Sequence, residues 1–167
     1  MDRFHRSLAL TFAAWLLLAT GASFAQLVPP APPPTPDKTY EPVSGQAGKD
    51  VVWVPTPPVL VEKMLDLAKV TPQDFVMDLG SGDGRNIIAA AKRGARALGV
   101  EYNPDMVAYA QREAEKAGVA RKAAFVQGDM YEADISQATV LALFLLPEKL
   151  DRLLPKFLDL KHRTRIV

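Results

Sequence analysis

The stretch Phe75-Val76-Met77-Asp78-Leu79-Gly80-Ser81-Gly82-Asp83-Gly84-Arg85-Asn86 leaves this chain few ways to fold. A mostly apolar run ends at an acid, three glycines alternate with polar residues, and an Ala-rich segment, Ile87 to Lys92, runs on to Gly94. That order reads as a buried strand, a tight turn and the start of a helix. Glycine lacks a Cβ, accepts positive φ, and so lets backbone approach a ligand closely. Spacing then tests two nucleotide readings. A dinucleotide fingerprint, G-x-G-x-x-G/A, needs a third small residue so that helix and strand pack closely; counting from Gly80, Arg85 occupies that place. A P-loop needs a lysine directly after its glycines, and none stands there. Both readings fail.

Downstream, the pattern repeats. Ala97-Leu98-Gly99-Val100 reads as a second strand ending in Glu101, 17 residues after Gly84. Pro104 opens a helix whose body, Met106 to Ala117, stops at Gly118. A third strand, Ala124 to Gln127, leads into Gly128-Asp129-Met130. Strands alternating with helices predict an α/β domain with a parallel sheet, and place Asp78, Glu101 and Asp129 at one carboxyl edge. An acid after the second strand of such folds accepts hydrogen bonds from vicinal ribose hydroxyls. Singly, each acid has a plainer use: a helix-cap partner for Asp78, a turn residue for Glu101 or Asp129. Their recurrence in this order argues for a site. An acidic edge suits a cationic ligand and repels a pyrophosphate.

The sequence D-x-G-x-G-x-G, Asp78 to Gly84, resembles motif I of the class I S-adenosylmethionine (SAM) methyltransferases. The resemblance implies a Rossmann-like sheet of order 3-2-1-4-5 and SAM as cofactor. It assigns cofactor binding to Asp78, Gly80, Ser81, Gly82, Glu101 and Tyr102, with Asp129 by the adenine amino group and Met130 against the ring. SAM carries a sulfonium, an ammonium and one carboxylate, so it is a net cation without phosphates, in keeping with the acidic edge. Over residues 49–167 the likeness narrows. Val54-Pro55-Thr56-Pro57 ahead of a helix, Asp78 to Arg85, and Gly99-Val100-Glu101-Tyr102-Asn103-Pro104 are similar to the ATP synthase c-subunit lysine methyltransferase-like family. More distantly, they resemble the histone lysine methyltransferases that lack a SET domain.

This likeness implies N-methylation of a lysine in a protein substrate by direct SN2 transfer; a small molecule is the other substrate class. Trp53-Val54-Pro55-Thr56 would fold over the pocket as a lid, the plainer alternative being a rigid proline connector. No residue presents itself as a general base, so the catalytic set is left unknown. Thr164 to Val167 reads as the start of strand five, so strands 6 and 7 of the family are expected to be missing and the domain to be C-terminally truncated. That expectation sustains a second reading, a noncatalytic or decayed exported protein that keeps the SAM-binding fold.

Three further segments complete the domain. An amphipathic helix, Val59 to Val70, is expected to bury Leu60, Met64, Leu67 and Ala68. The apolar run Thr139 to Leu146 suits a strand covered on both faces. Pro147 and Glu148 open a last helix to about Leu160, which Pro155 should kink or split. Phe144-Leu145-Leu146-Pro147 stands where amine and base methyltransferases often carry N-P-P-Y, which argues against nucleobase amide methylation and leaves an apolar mouth.

The N-terminus has a different character. Arg3 and Arg6 precede an uncharged apolar run, Leu8 to Phe24, with small residues at Ser23 and Ala25. Residues 1–25 therefore read as a signal peptide cleaved before Gln26, or else as a membrane anchor through residues 8–25. The domain would be exported, periplasmic or secreted, or held at the inner membrane. Residues 26–49 form a Pro-rich linker, extended and unable to join a sheet, and the methyltransferase domain occupies 50–167. Loss of residues 1–25 brings the formal charge from +1 to 0, which gives no electrostatic argument for nucleic acid as partner. The chain has no cysteine, which excludes disulfides and thiolate metal sites, and its two histidines are too far apart in sequence to suggest a metal cluster.

Overall fold

The computed structural model describes residues 40–167. The leader, residues 1–25, and the linker up to residue 39 lie outside them. Five parallel strands form one sheet in the order β3-β2-β1-β4-β5, as the resemblance implies. Along the chain run α1 (Pro58–Leu67), β1 (Phe75–Leu79), α2 (Arg85–Lys92), β2 (Arg96–Glu101), α3 (Pro104–Lys116), β3 (Ala123–Gln127), β4 (Val140–Leu141), α4 (Pro147–Leu158) and β5 (Arg165–Ile166). All strands point the same way, so their carboxyl ends share one edge.

Each face of the sheet has its own core. On one, Val61, Met64 and Leu65 of α1 and Ile87 and Ala90 of α2 pack with Val76, Phe125 and Val140. On the other, Met77, Leu79, Leu141 and Ile135 meet Leu153 of α4. β1 is central and buried from Val76 to Leu79, which is why its sequence does not alternate. The small residues of α2, Ala90 and Ala91, let that helix sit close to the sheet.

Several boundaries differ from the sequence reading. Helix α1 ends at Leu67, because Lys69 takes a positive φ of 50° and the Val70 N–H turns back to the Leu65 carbonyl. Its buried stripe is Val61, Met64, Leu65 and Ala68, the i, i+3, i+4, i+7 set, while Leu67 is 68 % exposed. Regular β4 is only two residues long, although Ala142 and Leu143 continue the ladder by donating to the carbonyls of Met77 and Val167. Leu146 is held extended by Pro147 after it, so the chain leaves the sheet for α4. Pro155 does not split α4: it lies on the exposed face together with Asp151, the residue one turn back whose carbonyl loses its N–H partner. Tyr40 to Lys49, placed by sequence in the linker, is folded against the domain. The Trp53 N–H donates to the Gln46 carbonyl, the Gly45 N–H to the Trp53 carbonyl, and Arg112 to the Tyr40 carbonyl.

Gly84 shows how tightly the glycine turn is packed. Its φ is +82°, and a Cβ there would stand 2.6 Å from the Phe125 ring and 2.9 Å from Ala110 Cβ. Gly84→Ala is expected to lower stability by about 2–4 kcal/mol, the sum of left-handed strain and overpacking. Urea unfolding of the variant against the parent chain measures it; a loss below about 0.5 kcal/mol would contradict the packing described.

Candidate functional site

Beyond the carboxyl ends of β1, β2 and β3 lies a cleft of about 350 Å³, lined also by residues 48–56 and by Phe144, Leu145 and Leu146. Its floor is the glycine turn. The N–H groups of Gly80 and Ser81 both donate to the Val100 carbonyl, at 2.8 and 3.0 Å, and the Gly82 N–H donates to Glu101 Oε2 at 2.9 Å. Glu101 Oε1 accepts from the Asn103 N–H at 2.9 Å. Two backbone donors thus fix the carboxylate, and each oxygen retains a lone pair for a further donor.

Asp78, at the end of β1, is 3 % exposed, and its Oδ2 accepts from Asn86 Nδ2 at 2.9 Å. Burial pushes its carboxyl up to about 7; the Asn86 hydrogen bond opposes this, and the charges of Glu101 and Asp83 add to it. Ser81 Oγ and Asn86 Oδ1 are buried without a hydrogen-bond partner in the protein, and both residues line the cleft. Buried polar atoms are seldom left unsatisfied, so a pair of them marks a place for a ligand or water. Asp129 accepts from Lys49 Nζ at 2.6 Å and from the Tyr131 N–H at 2.9 Å. The Lys49 ammonium, foremost, and the Tyr131 N–H hold its carboxyl below the ordinary carboxylate value. Lys49 also stands 4.4 Å above the centre of the Tyr102 ring, which is half exposed.

Of the residues singled out from sequence, Asp78, Gly80, Ser81, Glu101, Tyr102, Asp129 and Met130 meet in this one cleft. Gly82 supports the floor instead: the Trp53 indole lies over it where a Cβ would go, at a φ of +54°. Trp53 to Thr56 line the cleft, a placement that a lid and a rigid proline connector share. Sequence reasoning missed Asn86 and Lys49. Asn86 had a signal, a lone amide at the head of an Ala- and Ile-rich helix. Lys49 had none, since it reaches Asp129 across 80 residues of sequence.

A parallel sheet of order 3-2-1-4-5 with a glycine turn after β1 and an acid ending β2 is shared with dinucleotide-binding folds. The D-x-G-x-G-x-G spacing of the turn and the likeness to a methyltransferase structure holding S-adenosyl-L-homocysteine make this a SAM-dependent class I methyltransferase. Residues 78–167 match the ANTKMT methyltransferase domain, and the chain belongs to that family. It is 47% identical over 120 residues to a protein-lysine N-methyltransferase of Saccharolobus islandicus, covering 70% of this chain and 74% of that one. It is 38% identical over 93 residues to the ATP synthase c-subunit lysine N-methyltransferase of Mus musculus, covering 55% of this chain but only 38% of the mouse protein. Among solved structures, an RNA methyltransferase from Salinibacter ruber in complex with S-adenosyl-L-homocysteine is 49% identical, with a TM-score of 0.66, covering 68% of this chain and 75% of that one.

The buried acid has a consequence for stability. Asp78 holds its proton more tightly folded than unfolded, so the fold loses stability as pH rises from the ordinary value of 3.8 towards about 7. Asp78→Asn is expected to flatten that part of the pH profile. Urea midpoints at about pH 5 and about pH 8 decide it, and an unchanged profile in the variant would assign the slope to another group.

Proposed function

We propose that this chain methylates the side-chain amine of a lysine in a protein substrate, using SAM. The observation that carries the reading is the convergence of Asp78, Glu101, Asp129 and the glycine turn in a cleft that has an apolar patch beside them, at Phe144 to Leu146. The residues present fit the cofactor. Asp78, with the unpartnered Asn86 Oδ1, offers acceptors to an ammonium group, and Glu101 keeps lone pairs for ribose hydroxyls. Asp129 and Met130 suit an adenine, once Lys49 withdraws from Asp129.

When bound, SAM supplies a methyl group on a sulfonium, a leaving group good enough that the protein need form no covalent bond to it. The contribution of the chain is then positioning and exclusion of water. A lysine attacks only as the neutral amine. Phe144, Leu145, Leu146, Val52 and Val54 give the cleft an apolar wall, and desolvation there disfavours the ammonium form. The names of the Saccharolobus islandicus and mouse relatives support lysine as the acceptor. The likeness to the Salinibacter ruber protein, an RNA methyltransferase by name, supports RNA as a second reading. The apolar wall and the absence of net charge once residues 1–25 are removed favour lysine, because RNA affinity rests on cations.

Calorimetric titration of S-adenosylhomocysteine tests the cofactor assignment. Glu101→Gln is expected to weaken binding by about 1–3 kcal/mol, the range for a hydrogen bond to a charged group and its loss. Unchanged affinity would remove Glu101 from the site. Incubation with SAM and separate pools of lysine peptides and RNA, read by mass spectrometry, then tests the acceptor: methylated lysine is expected. Methylated RNA alone would select the second reading, and binding without any transfer would select the noncatalytic one.

The leader supports a separate proposal, that residues 1–25 direct the domain out of the cytosol and are removed before Gln26. N-terminal sequencing of protein recovered from the periplasm is expected to begin at Gln26. A chain retained whole in the membrane would show an anchor instead.

A further inference from the structure

Residues 49–56 cross the cleft as a strap, and its two ends are held by very different chemistry. At the Lys49 end, the side-chain tie to the sheet is one ammonium on one carboxylate, with 36% and 27% side-chain exposure, and the strap pairs through its backbone with residues 45–48. At the Thr56 end, Arg85 makes a fork. Its Nε donates to Asp83 Oδ1 and Oδ2 at 2.9 and 3.1 Å, Nη2 donates to Oδ2 at 2.5 Å, and Nη1 donates to the Thr56 carbonyl at 2.7 Å. Thr56 is 6 % exposed, and the next residue, Pro57, caps α1, which packs on the core. Asp83 belongs to the glycine turn. Arg85 thereby joins the end of the strap to the floor of the cleft, and between the two ends Trp53 lies over Gly82.

We propose that Arg85 is a positioning residue for cofactor binding: its guanidinium pins the Thr56 end of the strap to the glycine turn and so fixes the strap over the cleft. The proposal rests on the cofactor reading given above. Exposed ion pairs are weak and screened by salt, whereas a planar fork with several donors holds an orientation. Lysine cannot reproduce it. A purely electrostatic role for Arg85 would survive Arg85→Lys, and a fork would not.

The test uses the full chain, Arg85→Ala and Arg85→Lys, with two readouts. The chain has two tryptophans, Trp15 and Trp53, so the indole N–H resonance of Trp53 is assigned by Trp15→Phe. In the ligand-free protein both Arg85 variants are expected to shift or broaden that resonance, and both should weaken S-adenosylhomocysteine binding about tenfold. Should Arg85→Ala fail to fold, Arg85→Lys decides alone. A Trp53 resonance at its parent position in the variants overturns the proposal, whatever the affinity. A shifted resonance with affinity unchanged within about twofold overturns it too, because the strap would then be held without serving the ligand. If the parent chain binds no S-adenosylhomocysteine, the cofactor reading fails, and the Trp53 resonance alone decides whether Arg85 holds the strap.

Discussion

The cleft depends on the docking of the glycine turn onto the end of β2. One carbonyl, that of Val100, takes the N–H groups of Gly80 and Ser81, and the next side chain, Glu101, takes that of Gly82. Three consecutive donors leave the turn little freedom, and the acid that would face a ribose is aligned by the same contacts. The arrangement also explains Gly99, in the middle of β2. A Cβ there would come within 2.8 Å of Ser81 Cβ and 2.7 Å of the Phe125 ring, so the strand gives up a side chain to let the turn lie down. Turn, strand and acid form one unit.

Charge divides the cleft along its length. At the Asp78 end the carboxyl is buried, accepts from one amide and has no cation paired with it among the described residues. Burial, with Glu101 and Asp83 adding to it, pushes it up to about 7. At the Asp129 end the carboxylate is partly exposed and paired with Lys49, which also covers Tyr102. A cationic ligand therefore meets an acid already compensated at one end and an acid short of a partner at the other. Affinity is expected to concentrate at the uncompensated end, where a new hydrogen bond replaces an unmet need instead of displacing an existing ion pair.

Much of this is legible in the sequence, for physical reasons that can be named. Motif I and the acids after β2 and β3 are local signals: glycine spacing and strand ends place them without knowledge of the rest of the chain. The strand order follows from the family resemblance, and the sheet has it. What escapes is non-local or rotational. Hydrophobicity alone puts Leu67 in the core, because it does not resolve a helix face offset by one residue from the buried stripe. Pro155 reads as a break in α4, since the exposure of its helix face is a tertiary fact. The contacts of Lys49 and of Arg85 with Thr56 join segments far apart in the chain, and neither lysine nor arginine carries a spacing rule that would announce them.

At the amino edge of the sheet, opposite the cleft, Asp74 is 6 % exposed and gathers the starts of three strands. It accepts from the Thr71 N–H at 2.8 Å, from Thr139 Oγ1 at 2.8 Å and from Arg165, while Thr139 Oγ1 in turn accepts from the Phe75 N–H. Burial acts against its charge, yet these hydrogen bonds hold its carboxyl below the ordinary value. The molecule therefore divides its labour by edge. Polar cohesion is lodged where the strands begin, and ligand-facing groups are lodged where they end. Such a division separates the clasp that keeps the strands in register from the residues that face a ligand, so that a substitution at the mouth of the cleft leaves the hydrogen bonds of the far edge untouched.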